Sequence, residues 1–276
     1  MKPAPFAYHR ANSIDDAIAH LTGGDAIVRP LAGGQSLVPM LNLRLAPVDK
    51  LVDLTRIAAL RQTEERHDSI RYGALLTHAA FEDRQVPDAS NGLMPFVGSQ
   101  IAYRAVRTRG TIGGAVALAD PAADWLTAII ALEAEIALVG PNGRRAMKST
   151  DFALGSYMTA IEDAEIIEAI VVPRRPASER WGHYKVARKT GEYAESMAIA
   201  LIDKARGNAR LVVGATDGAP LVLVRSSREI AAGNLGDGLA AVIRQELADS
   251  ERDFPPEKLL LHCTTAVRAV ANSEKR

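Results

Sequence analysis

Two pairs of adjacent glycines, Gly33-Gly34 and Gly113-Gly114, break otherwise regular hydrophobic patterns in the first half of the chain. A residue without a Cβ adopts backbone conformations that other residues avoid, and it lets a second backbone or a ligand come close. Any fold for this chain must therefore place both pairs where close approach is needed. For either pair alone, a plain tight turn explains the sequence as well as a ligand site does.

The first pair belongs to the segment Ala32-Gly33-Gly34-Gln35-Ser36-Leu37. The preceding apolar run predicts a buried strand over 26–32, and the apolar positions that follow predict a helix over 36–45. Amides in such a loop lack partners, and the helix dipole favours an anion, so a pyrophosphate group would fit there. Ser36 adds a hydroxyl donor. Neither GxGxxG nor a P-loop is present, so a bound dinucleotide requires a fold other than the Rossmann fold.

The second pair belongs to the segment Gly110-Thr111-Ile112-Gly113-Gly114-Ala115, and the sequence ADPAAD follows at 119–124. Its glycines again predict close backbone approach, which would give two backbone amide cradles around one ligand. Asp124 opens a predicted helix over 124–132, where its carboxylate would accept hydrogen bonds from sugar hydroxyls. In isolation, an N-cap of that helix is the better interpretation of Asp124.

The order of the predicted elements is that of an α+β protein. Ser13 caps a first helix, and strands then alternate with helices as far as Pro173-Arg174-Arg175-Pro176, where two prolines and two charges predict an exposed boundary. We therefore expect a first domain over 1–176 and a smaller second domain over 177–276. The predicted strands are 50–54, 69–73, 134–139, 165–172, 181–186, 197–204, 209–215 and 221–224, and the later predicted helices are 77–81, 94–102, 124–132, 239–248 and 256–270.

The composition excludes several classes of protein. The 276 residues carry 33 Lys+Arg and 33 Asp+Glu, a balance that argues against a nucleic-acid-binding protein. The one cysteine, Cys263, cannot supply the roughly three or four ligands of an iron–sulfur cluster or a zinc site. The six histidines show no metal-binding spacing, so we expect no metal site in this chain. The N-terminus lacks a secretory pattern, and no run approaches the ~18 apolar residues of a membrane span, so we expect a cytoplasmic protein without membrane insertion.

Several motifs together resemble one known family. They are AGGQSL at 32–37, TIGG at 111–114, ADPAAD at 119–124, YGALLTH at 72–78 and KVARKTGEYA at 185–194. In this order and at this spacing they resemble the FAD-binding medium subunit of the xanthine dehydrogenase and carbon monoxide dehydrogenase family, the molybdenum hydroxylases. The resemblance runs from about residue 3 to about residue 270, and it is far more specific than either glycine pair.

The resemblance implies a fold and a site. The fold is a two-lobed FAD-binding domain of the vanillyl-alcohol-oxidase or PCMH type, followed by a smaller C-terminal α+β domain with an antiparallel sheet and helices. Both glycine segments would contact the FAD diphosphate and ribityl chain. The implied cofactor-binding residues are Ala32, Gly33, Gly34, Gln35, Ser36, Leu37, Ile101, Thr111, Gly113, Gly114, Ala115, Asp124, Ile167, Lys185 and Tyr193.

Individual roles also follow from the resemblance. Asp124 would bind hydroxyls of the adenine side or of the ribityl chain, and Ile101 and Ile167 would pack on the cofactor. Lys185 would place its ammonium near the flavin, and Tyr193 would lie close to the isoalloxazine face. Each residue also has a plain interpretation: the isoleucines as core, Lys185 as a solvated side chain, and Tyr193 as packing. The sequence departs from the family pattern at Ala115, Thr108 and Glu192, which leaves the flavin contacts of these three positions open.

The resemblance implies that this chain transfers electrons and has no catalytic residue of its own. A large partner subunit would carry the molybdopterin cofactor, and a small partner subunit would carry two [2Fe-2S] clusters. The three subunits would assemble as a dimer of heterotrimers. The face near Tyr193 and the segment 100–114 would meet the cluster-bearing subunit or the acceptor. Two alternatives stay open, an autonomous FAD-dependent oxidase of the same fold and a non-enzymatic interaction protein. His78 and Cys263 are interpreted as structural residues.

Overall fold

The computed structural model describes residues 2–275, so the predicted domain ends Met1 and Arg276 lie outside the described residues. Its strands are β1 (Ala7–Arg10), β2 (Val28–Leu31), β3 (Lys50–Asp53), β4 (Thr63–Glu65), β5 (Ser69–Gly73), β6 (Glu135–Gly140), β7 (Gly143–Lys148), β8 (Ala153–Gly155), β9 (Met158–Thr159), β10 (Ile166–Pro173), β11 (Arg180–Val186), β12 (Ser196–Asp203), β13 (Asn208–Gly214) and β14 (Leu221–Val222). Its helices are α1 (Ile14–Leu21), α2 (Leu37–Asn42), α3 (His78–Glu82), α4 (Leu93–Gln100), α5 (Arg104–Arg107), α6 (Ile112–Leu118), α7 (Asp124–Ala131), α8 (Ser149–Phe152), α9 (Val224–Ala231), α10 (Asp237–Ala248) and α11 (Pro256–Ser273).

Residues 7–53 form what we call the parallel lobe. Its three strands lie in the order β1-β3-β2 and all run parallel, which requires a crossover helix between successive strands. The first crossover is α1, and its predicted cap is confirmed, because the Ser13 hydroxyl accepts from the Asp16 amide at 3.1 Å. Gly33-Gly34 lies between β2 and α2, the strand-to-helix junction that the sequence predicts.

Residues 63–173 form what we call the antiparallel lobe. Its five strands lie in the order β4-β5-β10-β6-β7, with β10 at the centre. Helices α3, α4, α6 and α7 cover this sheet and contribute to its apolar core. Phe81 lies between two other aromatic rings in that core, with centroids 5.3 Å from Tyr72 and 4.9 Å from Trp125. These distances are typical of favourable aromatic pairs.

Residues 180–273 form what we call the C-terminal region, whose four strands β11-β12-β13-β14 make the predicted antiparallel meander. Every residue of β12 is buried, because the sheet is covered on both faces. Ile199 and Leu201 join the core of the antiparallel lobe, whereas Ala198 and Ala200 face the core formed with α9, α10 and α11. None of the helices within residues 2–275 combines the length and hydropathy that crossing a bilayer requires.

The structure also corrects several details of the predicted elements. The sequence does not predict β1, β4, β7, α5, α8, α9 or the β8–β9 hairpin, and the strand expected over 221–224 ends at Val222. These short elements lie at sheet edges or carry charged residues, so their own sequences lack strong periodicity and their partners decide their conformation. The segment that interrupts the pattern at 111–114 is not a loop, because Gly113 and Gly114 lie in the first turn of α6.

Gly182 on β11 is the position where we expect the smallest substitution to damage the fold. A Cβ there would overlap the carbonyl of Ala269 and lie 2.6 Å from the Ser273 amide nitrogen, so α11 would have to move off the sheet. Gly182→Ala is expected to lower the free energy of unfolding by about 1–3 kcal/mol, the usual range for overpacking. Urea unfolding measures it, with Gly238→Ala as control because that glycine has no atom within 4 Å of its Cβ position. Equal stability of the two variants would contradict the close packing.

Candidate FAD-binding site

The fold brings the two glycine segments into contact. A Cβ on Gly33 would overlap the carbonyl oxygen of Arg109 and lie 2.8 Å from the Gly110 Cα. A Cβ on Gly114 would lie 3.5 Å from the Ala32 Cβ. The parallel lobe and the antiparallel lobe therefore meet backbone to backbone here, and only glycine fits at position 33 without separating them.

The first glycine segment keeps the features expected of an anion site. Within residues 2–275, no acceptor is in hydrogen-bonding position for any of the four backbone amides of residues 33–36. Gly34 has φ +71°, a left-handed conformation that favours glycine, and the Ser36 hydroxyl makes no capping bond to α2. The Gln35 side chain donates to the Gly33 carbonyl at 3.2 Å and so bridges the turn. Four unpaired amides on one turn form a concave donor surface suited to phosphate oxygens.

The second glycine segment differs from the expectation of an amide cradle. The Gly113 amide donates to the Ala74 carbonyl at 2.9 Å, and the Gly114 amide donates to the Thr111 hydroxyl at 3.1 Å. These two amides are therefore not free for a ligand. The missing Cβ of Gly113 instead allows α6 to lie against Ala74, since a Cβ there would be 2.7 Å from the Ala74 carbonyl oxygen. The expectation of two amide cradles is wrong for this segment.

A cavity of about 660 Å³ opens beside this contact, between the parallel and antiparallel lobes. The volume lies within the ~300–1,000 Å³ typical of small-molecule and cofactor pockets. Apolar side chains from β2, such as Val28 and Leu31, face others from β10, such as Ile166. The predicted site residues that line it are Ala32, Gly33, Gly34, Gln35, Ser36, Leu37, Thr111, Gly113, Gly114, Ala115 and Ile167.

The other four predicted residues, Ile101, Asp124, Lys185 and Tyr193, do not line this cavity but gather near its Ser36 end. Partial burial raises the pKa of Tyr193, the carboxylates of Asp120 and Asp124 raise it further, and the Ser36 side chain opposes the shift. Ile101 itself packs on the core of the antiparallel lobe, and the next residue, Ala102, contacts the Tyr193 loop, since a Cβ on Gly191 would lie 2.6 Å from the Ala102 carbonyl oxygen.

Asp124 and Lys185 form a buried ion pair. The Lys185 Nζ lies 2.9 Å from both carboxylate oxygens of Asp124, and the two side chains are only 10% and 6% exposed. Burial raises the pKa of Asp124, and the Lys185 ammonium opposes that shift. The interpretations of Asp124 as a helix N-cap and of Lys185 as a solvated side chain are therefore wrong. Asp124 is the first residue of α7 rather than its N-cap, and Lys185 is not solvated.

His78, for which the sequence predicts a structural role, borders the candidate site. Its side chain is 4% exposed and borders the cavity, and its Nδ1 accepts a hydrogen bond from Trp125 Nε1 at 2.9 Å. Burial, followed by the positive charge of Arg107, lowers the pKa of His78 to about 4, so the imidazole is neutral near pH 7. The sequence signal for this position was Thr77-His78 at the start of a predicted helix. The sequence does not reveal, however, that this helix borders the cavity.

A second cluster was invisible in the sequence because its residues come from different elements. His9 on β1 and Asp16 and His20 on α1 bring their ligand atoms within 4.8 Å of one another. The His9 Nε2 lies 3.0 Å from the Asp16 carboxylate. However, the Lys50 ammonium lies 2.8 Å from His20 Nδ1, so a neutral His20 carries its proton on Nε2. Because Nε2 is the nitrogen that would face a metal, this arrangement is better explained as a surface ion-pair cluster.

Comparison with known proteins identifies the family. Residues 4–175, more than half of the chain, match the family described as the FAD binding domain in molybdopterin dehydrogenase. The chain belongs to this family. It therefore has an FAD-binding domain and is an oxidoreductase subunit, as the resemblance implied.

Individual relatives agree with the family match. The chain is 37% identical over 229 residues to the carbon monoxide dehydrogenase medium chain of Hydrogenophaga pseudoflava, covering 82% of this chain and 79% of the relative. It is 32% identical over 252 residues to the glyceraldehyde dehydrogenase medium chain of Sulfolobus acidocaldarius, covering 90% and 89%. A chain of reconstituted CO dehydrogenase from Oligotropha carboxidovorans superposes with a TM-score of 0.91 at 31% identity, covering 100% of both. The predicted PCMH-type α+β fold is confirmed.

The residues present fit FAD on structural grounds. The unpaired amides of residues 33–36 suit a diphosphate, and the absence of a Cβ at Gly33 lets the backbone of Arg109 and Gly110 pack against that turn. The apolar walls of the cavity suit an aromatic ring system, and the charged group of Asp124 and Lys185 lies near the Ser36 end of the cavity. FAD supplies, when bound, a redox centre that exchanges one or two electrons.

The Asp124–Lys185 pair predicts strongly non-additive effects on stability. Asp124→Asn leaves the Lys185 ammonium buried without a counter-charge, which typically costs about 3–5 kcal/mol, and Lys185→Met leaves the carboxylate in the same position. The double variant removes both charges and should cost well below the sum of the two single changes. A double-mutant cycle by urea unfolding measures the coupling. Additive single effects would show that the two charges do not interact.

Two buried histidines predict a loss of stability in weak acid. Burial lowers the pKa of both His78 and His262 to about 4 in the folded chain, whereas an unfolded histidine titrates near ~6.5. Below pH ~6.5 the unfolded chain takes up about one proton per histidine that the folded chain does not. The contribution of these two histidines to the free energy of unfolding is therefore complete above pH ~6.5, and it is lost as the pH falls towards 4.

Urea unfolding of the wild type at pH 7.5 and pH 5.0 measures this loss, with His262→Gln as the comparison. The variant should lose less stability between the two pH values, because one of the two buried groups is gone. An identical loss in the wild type and the variant would show that His262 takes up its proton equally in the folded and unfolded chain, so that its pKa is not lowered by burial.

Proposed function

We propose that this chain is the FAD-carrying electron-transfer subunit of a molybdenum hydroxylase, passing electrons from iron–sulfur clusters of a partner subunit to an external acceptor. The observation that carries the proposal is the turn at 33–36, whose unpaired amides face a cavity of cofactor size between two lobes. The family match supports FAD as the occupant. The single cysteine of the chain supports the placing of the clusters in another subunit.

The fifteen predicted residues divide into two groups with different proposed roles. The diphosphate, the ribityl chain and the adenine side would be held by the residues that line the cavity, which are Ala32 to Leu37, Thr111, Gly113, Gly114, Ala115 and Ile167. The group around Lys185 would lie near the flavin ring, where a positive charge stabilises the reduced anion. Because Asp124 is paired with that ammonium, it would hold the lysine in place and limit its net field.

Partner subunits are proposed from the relatives, which are named as medium chains of dehydrogenases. We propose a large subunit with the molybdopterin cofactor, a small subunit with two [2Fe-2S] clusters, and assembly as a dimer of heterotrimers. The face near Tyr193 and the segment 100–114 would meet the cluster-bearing subunit or the acceptor. Tyr193 and Tyr103 are 59% and 66% exposed there, and exposed aromatic residues are enriched in protein interfaces.

Two further proposals concern organisation and location. The proposed domains lie at 1–176 and 177–276, although the core of the antiparallel lobe includes Trp181 and Ile199 from beyond the proposed boundary. The chain would act in the cytoplasm, where the cysteine thiols of the cluster-bearing partner would stay reduced and available as cluster ligands. The chain's own part in the reaction would be to bind the flavin, orient its ring and limit access to it.

Gly33 provides the sharpest test of the proposed flavin position. Gly33→Ala places a Cβ against the Arg109 carbonyl, so the two glycine segments must separate and the free amides move. We expect the dissociation constant for FAD to rise by about tenfold or more, equivalent to at least ~1.4 kcal/mol. Titration of FAD-stripped chain, followed by flavin fluorescence, measures it. Gly238→Ala, a change at an exposed position of α10, is the matched control and should bind FAD as the wild type does.

Electron transfer needs a separate experiment. The purified chain should be yellow, with one FAD per chain absorbing near ~450 nm. Its flavin should stay oxidised with an organic substrate alone and become reduced only when the co-purifying subunits are added. Reduction of the isolated chain by the substrate would favour an autonomous oxidase instead. A colourless chain that takes up no FAD would overturn the proposed function itself.

A further inference from the structure

His78 occupies an unusual position for a buried histidine. It is the first residue of α3, its side chain is 96% removed from solvent, and it borders the cavity proposed for FAD. Thr77 caps the helix by accepting from the Ala80 amide, so the fold holds the start of α3 in place. The backbone amide of His78 donates to the Gly110 carbonyl at 3.0 Å, which ties the residue to the second glycine segment.

The hydrogen bond from Trp125 decides which ring nitrogen carries the proton. An indole N–H can only donate, so His78 Nδ1 must accept at the observed 2.9 Å and is unprotonated. A neutral imidazole then carries its single proton on Nε2. Both rings are buried, and Trp125 is fully enclosed in the core of the antiparallel lobe, so this tautomer is enforced by packing rather than by solvent.

The charge state of His78 follows from its surroundings. The ring lies in an apolar environment, and the charged group that acts on it is Arg107, whose positive charge disfavours a second proton. Arg107 is itself held by Glu82 at 2.7 Å and by the carbonyl of Ala102 at 2.8 Å, so it cannot turn to pair with the imidazole. His78 therefore stays a neutral donor through the range in which an exposed histidine becomes charged.

Gly110 keeps the Nε2 side of the ring accessible. A Cβ at position 110 would lie 2.6 Å from His78 Nε2 and 2.8 Å from its Cδ2, so any other residue would cover that nitrogen. Across the part of the chain that the structure describes, no group accepts a hydrogen bond from Nε2, and this nitrogen is not among the fully enclosed polar atoms. Because His78 lines the cavity, its unpaired Nε2–H is free to donate to an acceptor that binds there.

We propose that His78 Nε2 donates a hydrogen bond to an oxygen of the bound FAD, and that Trp125 acts as a positioning residue by fixing the tautomer. The inference rests on the proposed position of FAD in this cavity. The donor adds to the free amides of residues 33–36, and it contributes without bringing a charge near the flavin. A hydrogen bond of this kind, made to an anionic oxygen, strengthens binding by on the order of tenfold.

Two substitutions at position 78 separate this role from packing. His78→Asn keeps an acceptor near the Nδ1 position for Trp125 but is too short to reach the cavity. His78→Gln extends to the Nε2 position and can donate from it. We expect the Asn variant to bind FAD about tenfold more weakly and the Gln variant to recover most of that loss. Gly110→Ala should also weaken binding, because its Cβ covers Nε2 while His78 itself is unchanged.

A spectroscopic measurement tests the tautomer without any mutation. In full-length chain with ¹⁵N-labelled histidine, stripped of FAD, one imidazole should show a protonated Nε2 and an unprotonated Nδ1, and His78→Asn assigns it. Adding one equivalent of FAD should shift that Nε2–H proton downfield and slow its exchange with water. A proton found on Nδ1, an Nε2–H signal that FAD leaves unchanged, or equal FAD affinity in the wild type and the Asn and Gln variants would overturn the inference.

The failures of the two proposals are distinguishable. If wild-type chain takes up no FAD, the proposed function fails, whatever His78 does. If wild-type chain takes up one FAD but neither the affinity nor the Nε2–H signal depends on His78, only the hydrogen bond is wrong and the site remains.

Discussion

The contact between the Gly33 backbone and the Arg109–Gly110 backbone is the constraint on which the rest of the site depends. At this point the parallel lobe and the antiparallel lobe approach so closely that a single Cβ would separate them. Around it, the apolar side chains of Val52 and of Leu54, which directly follows β3, pack with Leu75 and Ile166 from the antiparallel lobe. The hydrophobic contact draws the lobes together, and the missing Cβ decides how near they come. The cavity exists because the lobes touch there and diverge beside it.

The two glycine pairs have different structural roles, although they look alike in the sequence. Gly33-Gly34 leaves amides unpaired and so creates a donor surface for a ligand. Gly113-Gly114 has its amides bonded inside the protein and serves the packing of α6 against Ala74. Only the pattern of hydrogen bonds separates the two cases. A glycine pair is therefore evidence for close approach, and the identity of the approaching group must come from the fold.

Buried polar groups connect the site to the surrounding core. Lys185 on β11 and Asp124 on α7 join the C-terminal region to the antiparallel lobe through one ion pair. One residue further along α7, Trp125 donates to His78 and so links the same helix to the cavity wall. Helix α7 therefore presents two consecutive side chains to different parts of the site. Because both pairs are enclosed, each is held in one geometry, which is what the orientation of a cofactor requires.

The sequence by itself determined the α+β order of elements, the meander of the C-terminal region, the strand-to-helix junction at Gly33-Gly34 and, through its joint motifs, the family. These features depend on local periodicity, on turn residues and on motif spacing, all of which can be observed in the sequence itself. Only the tertiary structure decided that the amides of Gly113 and Gly114 are occupied, that Asp124 pairs with Lys185 across 61 positions, and that Trp125 sets the tautomer of His78. Hydrogen-bond partners distant in sequence leave no local pattern, because their pairing depends on how the lobes pack.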